Sequence, residues 1–280
     1  MKNVLSKYDY EEPQCLLNMH PEMVRIPIRR IIEKLDSCLG RNDYSDAERL
    51  LQYWLKEAET ENDIHGKLTI LNEQIGLYRK MGKEAECLQA ISSALSIVDA
   101  TDVGNSVTGG TTLINAATGY NAFGKAAVAL PLYRKARKIY ETNLNTDDAR
   151  LGGLYNNMAI TLTELKEYRE AEELFNQAME IMKKQKNGEL EVAITCLNLA
   201  DLVAAEVGFE NGEGEGEGEG EKEIEKYLQK AETLLNTEDI QRDGYYAFVC
   251  EKCAPVFGYY GHFLTEQDLK QRARNIYERA

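Results

Sequence analysis

Cys250 and Cys253 are the one cysteine pair in the chain at a spacing that chemistry commonly uses. A redox pair of this kind sits at the start of a helix that follows a strand, and no strand pattern precedes it here. Structural zinc needs four ligands. His262 is the nearest third donor, and no fourth is evident. Both cysteines share a helical spacing with Ala254 and Phe257, so they read as small buried thiols without metal. His20, His65 and His262 are too scattered for a catalytic constellation. The sequence has no GxxxxGK[ST] loop, no GxGxxG and no HExxH. Gly109-Gly110-Thr111-Thr112 has only the outline of a phosphate loop, and Thr111 reads instead as the cap of a helix running through Leu113. No residue set implies a cofactor, and an enzyme is the disfavoured reading.

The polar residues that do recur in register are asparagines. Asn115, Asn157 and Asn198 are spaced by 42 and 41 residues. An amide both donates and accepts, so such a row suits the main chain of an extended peptide. Equally, the same amides could tie one helix to its neighbour. Sequence leaves the two readings open.

The elements that must position these residues are helices. Tyr155, Met158, Ala159 and Leu162 follow the spacing i, i+3, i+4, i+7, and so do Ala171, Leu174, Phe175 and Ala178. Each set is one apolar helical face, and the short turn between them makes an antiparallel pair. First-helix faces recur at Ile31, Leu71, Leu113, Tyr155 and Cys196, at intervals of 40, 42, 42 and 41. The next copy, at Cys250, comes after 54 residues. Removing about a dozen residues between Phe209 and Glu221 restores the period. Residues 212–221 alternate Gly and Glu, which reads as a flexible, self-repelling loop expansion without a buried face. Lys34 and Gln74 fall where the pattern expects apolar residues. Gly82, Gly124 and Gly261 fall at turns, where a left-handed backbone is cheap for glycine.

Composition agrees with a soluble helical protein. Apolar residues make up 43% of the 280 and charged residues 29%. The net charge of −14 argues against nucleic acid as a partner. Seven of the glutamates lie between Glu210 and Glu223, against the single Lys222. There is no apolar leader and no run long enough to span a membrane. Six scattered cysteines suit a reducing, cytoplasmic setting.

Together these residues resemble the tetratricopeptide repeat (TPR): a large residue, then Leu-Gly/Ala, Tyr, Ala, Phe/Tyr and Ala. The period near 42 and the run Asn156-Asn157-Met158-Ala159 look most like the kinesin light-chain type. The resemblance implies an all-α, right-handed superhelix of five to six helical hairpins. The expected organisation is an irregular segment or cap over 1–23, then repeats near 28–60, 68–100, 110–142, 152–184 and 193–236, the fifth carrying the Gly/Glu insertion 209–221. A degenerate capping repeat is expected over 247–280. In such arrays the first helices line a concave groove. The resemblance therefore places Asn115, Asn157 and Asn198 there, with Asn156, Thr118, Asn121, Ile160, Thr163 and Asp201 beside them. It implies a cytoplasmic adaptor for a protein or extended peptide, with a homo-oligomer left open and neither nucleic acid nor membrane as partner. The alternative is a peptide sensor similar to bacterial quorum-sensing regulators, without their DNA-binding domain. Gly153, Thr111 and Ile194 stand where a carboxylate clamp needs basic residues, so a free C-terminal carboxylate is not the expected ligand.

Overall fold

The computed structural model describes residues 25–208 and 217–279. The expected N-terminal segment 1–23 lies outside them. Among the described residues every regular element is helical, in the order α1 (Ile28–Gly40), α2 (Tyr44–Thr60), α3 (Ile64–Met81), α4 (Glu84–Ala100), α5 (Val107–Ala122), α6 (Ala126–Asn143), α7 (Ala149–Glu164), α8 (Tyr168–Met182), α9 (Gly188–Val207), α10 (Glu217–Leu235), α11 (Gly244–Tyr259) and α12 (Phe263–Tyr277). Consecutive helices pair as six antiparallel hairpins, and the chain divides into two compact units after Asn143. The N-terminal unit holds α1–α6 and the C-terminal unit α7–α12.

Each hairpin closes on a residue in the left-handed region. Gly82, Gly124 and Gly261 take φ of 68°, 69° and 84°, as the turn reading expects. Gly208 joins them at 69°, and Asn42 and Lys166 hold the equivalent turns at 56° and 62°. Lys166 has a Cβ that crowds the backbone there, a cost a glycine avoids.

The periodic residues form the core. In the N-terminal unit Ile31, Leu35 and Cys38 pack with Ala47 and Leu51, while Leu71, Ile75 and Tyr78 pack with Cys87, Ala90, Ile91 and Ala94. The core tolerates Gln74, which is buried, whereas Lys34 simply faces solvent. In the C-terminal unit Tyr155, Met158, Ala159 and Leu162 are buried, as are Ala171, Leu174, Phe175 and Ala178. Helix α9 is apolar on nearly every side, from Leu190 to Ala204. It is covered by α7, α8, α10 and α11, the condition under which an all-round apolar helix is stable in water.

Two local expectations are corrected. Thr111 is not a cap: α5 begins earlier, and the Ser106 hydroxyl accepts from the Gly109 amide at 3.2 Å. Gly109 and Gly110 lie inside the helix, and a Cβ on Gly110 would stand 2.7 Å from the Tyr140 ring, so glycine there permits the close packing of α6. Thr111 instead donates to the Val107 carbonyl and meets the Tyr140 hydroxyl at 2.7 Å. The Gly/Glu tract is not wholly a loop either. Residues 217–221 form the first turn and more of α10. Gly220 is buried, and a Cβ there would stand only 3.0 Å from Val207. A residue without a side chain lets α10 close on the end of α9; residues 209–216 lie outside the described chain.

Candidate functional site

Eight of the nine residues expected to face a groove are half-buried and Asp201 is exposed, so all are reachable from solvent at least in part. In the N-terminal unit, Asn115 Nδ2 donates to Asn72 Oδ1 at 3.0 Å, and Asn72 Nδ2 donates to Thr112 Oγ1 at 3.0 Å. In the C-terminal unit, Asn198 Nδ2 donates to Asn156 Oδ1 at 3.1 Å. The same chemistry thus recurs in both units: an amide of one hairpin bonds an amide of the hairpin before it. The row expected at 115, 157 and 198 is therefore accompanied by two cross-hairpin pairs, 72–115 and 156–198. Asn72 is the member that periodicity missed, although it stands one residue after the Leu71 anchor, as Asn156 does after Tyr155. Asn157 contributes its carbonyl to Thr161 Oγ1 at 3.1 Å.

Thr118 and Thr163 bond back onto their own helices, at Ile114 and Ala159. Thr118 also meets the Tyr133 hydroxyl at 2.8 Å, which ties α5 to α6. Asn121 and Ile160 are half-buried on α5 and α7.

Within the C-terminal unit the ends of α7, α9 and α11 enclose a groove of about 660 Å³. It is lined by the apolar side chains of Ala204, Ala205, Pro255 and Val256 and by the polar and aromatic groups of Thr163, Asp201, Tyr168, Tyr259 and Tyr260. Tyr168 donates to the Ala205 carbonyl at 3.1 Å, and Tyr260 donates to Asp201 Oδ1 at 2.8 Å. Tyr259 is 56% exposed and meets Tyr260 edge to face at 4.9 Å. Of the nine expected residues, Thr163 and Asp201 line this groove. Tyr168 reads in sequence as a repeat residue rather than a groove residue, and Tyr259 and Tyr260 escape sequence reading because they stand at a turn, off the apolar stripe. Pro255 lies inside α11 and lines the groove too; lacking an N–H, it leaves the carbonyl four residues back without its usual donor.

Cys250 and Cys253 are core residues, with relative exposures of 0% and 1%. Burial pushes the Cys253 thiol up to about 12, the behaviour of an inert thiol rather than a nucleophile. Among the described residues no group of three or more His, Cys, Asp and Glu is placed to hold a metal ion, and no helix is long and apolar enough to cross a membrane.

The family profile described as a tetratricopeptide repeat matches residues 152–184. Among solved structures, BtubC (BKLC) from P. vanneervenii is 16% identical with a TM-score of 0.54, covering 85% of this chain and 90% of that one. A Podospora anserina protein, a putative kinesin light chain with nearly identical TPR-like repeats, is also 16% identical, with a TM-score of 0.52, covering 75% and 94%. No curated protein matches by sequence. Residues 152–184 are thus a tetratricopeptide repeat, and the chain has the fold of TPR proteins of the kinesin light-chain kind.

Proposed function

We propose that this protein is a cytoplasmic adaptor that binds a polypeptide partner on its first-helix faces, with the principal docking site in the groove of the C-terminal unit. The observation that carries the reading is the groove itself. The apolar side chains of Ala204, Ala205, Pro255 and Val256 line it together with polar and aromatic groups from α7, α8, α9 and α11. That combination suits an extended segment, whose apolar side chains meet the apolar lining while its main chain meets the polar groups beside it.

The asparagines keep a part in this reading. The 156–198 bond uses one donor of Asn198 and the acceptor of Asn156. Asn198 Oδ1 and Asn156 Nδ2 lie outside that bond, and each half-buried amide still offers its second function to a ligand. The bridge fixes their orientation beforehand, which lowers the ordering cost of binding. Asn115, Thr118 and Asn121 give the N-terminal unit a comparable face of its own.

Site-specific photocrosslinking in the native cell tests the proposal. A photoreactive residue at position 259 is expected to capture one partner repeatedly. The same group at exposed Glu172 on α8 serves as the outward control. Equal capture from both positions, or capture from 172 alone, would place recognition elsewhere.

A further inference from the structure

We propose that the groove of the C-terminal unit is selective for a basic segment, one whose lysine or arginine side chains enter at the ends of α7, α9 and α11. The inference rests on the peptide-binding reading above and adds the chemistry of the partner.

Two independent features point to a cation. One is the helix ends themselves. The groove is lined by Thr163 and Glu164 at the end of α7, by Ala204, Ala205 and Gly208 at the end of α9, and by Val256, Tyr259 and Tyr260 at the end of α11. Three helix C-termini therefore meet there, each carrying partial negative charge on its last carbonyls. A lysine or arginine in the last turn can neutralise that end, as in α3 and α12. Most of the described helices have none there, and what sets α7, α9 and α11 apart is that their ends line one groove. None of α7, α9 and α11 has a basic residue in its last turn.

The other feature is the surrounding charge and aromatic surface. A second depression adjoins the groove and shares Lys166 and Tyr168 with it. Across the two, the lining carboxylates are Glu164, Asp201, Glu167, Glu170, Glu173 and Glu206, and the lining cations are Lys166 and Arg169. Arg169 is already turned toward Glu173, at 3.4 Å. The aromatic faces of Tyr168, Tyr259 and Tyr260 sit among these charges. A guanidinium or ammonium group can stack on a tyrosine ring while facing a carboxylate. An acidic ligand would meet more like charge than opposite charge, since carboxylates outnumber Lys166 and Arg169 along the lining.

The test is fluorescence anisotropy with a labelled, extended dodecapeptide alternating arginine and alanine. Its counterparts carry citrulline, a neutral isostere, or glutamate in place of arginine. The arginine peptide is expected to bind at least about tenfold more tightly than either, and to weaken with salt, as a charge-steered contact does. Asp201→Asn with Glu164→Gln is expected to cost about tenfold; asparagine still accepts from Tyr260, so circular dichroism and melting stay unchanged. Lys166→Gln is expected to tighten binding about two- to threefold, the effect of removing one exposed like charge. Glu172→Gln with Glu278→Gln removes the same number of charges away from the groove and is expected to change nothing.

If that control weakens binding as much as the groove variant, only the overall negative charge is at work and the proposal fails. If the citrulline peptide binds as tightly as the arginine one, selectivity for a cation is refuted while peptide binding stands. If no peptide binds but position 259 still crosslinks a partner in the cell, the basic specificity is wrong and the adaptor reading survives. Loss of both results would remove the two together.

Discussion

The amide pair Asn156–Asn198 can be weighed directly. The two residues are 42 apart in sequence and joined at 3.1 Å across α7 and α9. A neutral hydrogen bond of this kind contributes about 0.5–1.5 kcal/mol. Both side chains are half-buried, so a partner left behind by truncation reaches water, and the lower half of that range is expected. Asn156→Ala and Asn198→Ala should each cost about 0.5–1 kcal/mol. The double variant should cost little more than either, because the second truncation removes nothing further, which gives a coupling of about 0.5–1 kcal/mol. Urea unfolding by far-UV circular dichroism measures the global term. Native-state amide exchange on α7 and α9 measures it locally, which matters because repeat proteins need not unfold in one step. Asn157→Ala is the control and should lie within about 0.5 kcal/mol of the parent. A coupling below about 0.3 kcal/mol, the scatter of independent sites, would show that the bridge does not tie the hairpins.

The remaining expectations each turn on one local feature. Gly110→Ala gains about 1 kcal/mol of helix propensity, but its methyl meets the Tyr140 ring at 2.7 Å, an overpacking cost of about 1–3 kcal/mol; a lowered melting temperature is expected, and a raised one would contradict the close packing. Lys166→Gly relieves a left-handed lysine at φ 62° and should stabilise by about 1 kcal/mol, read from the urea midpoint. Glu73, half-buried on α3, is pushed up to about 7 by burial and then by Asp36. Its folded-state value is raised above the ordinary 4.5, so its contribution is whole at low pH and declines from about pH 4.5 to 7. Glu73→Gln should therefore unfold at higher urea than the parent at pH 8 and at the same urea at pH 4, and an identical gap at both would refute the assignment. Cys253 is raised from 9.0 to about 12, so stability should fall as pH climbs between those values; a thiol reagent at pH 8 should label it only after unfolding.

The sequence by itself determined the hairpins. The spacing of apolar residues at i, i+3, i+4 and i+7 fixes which helix face is buried, and it needs no knowledge of neighbours; Cys250, Cys253, Ala254 and Phe257 are all buried where their spacing puts them. The turn glycines were legible for the same reason, since a left-handed backbone is a local demand. Lys166 was not, because nothing in its type announces the conformation it adopts. The Gly/Glu tract shows the limit of composition: taken alone it has no face to bury, yet Gly220 packs on Val207 because a neighbouring helix supplies the surface. Likewise Asn115 and Asn198 were visible as a row, while their partners Asn72 and Asn156 were chosen by how one hairpin lies on the one before it. The groove is the furthest from the sequence. Thr163, Asp201, Pro255 and Tyr259 belong to three different helices, and only the side-by-side packing of those helix ends brings their carbonyls, carboxylates and rings to one place.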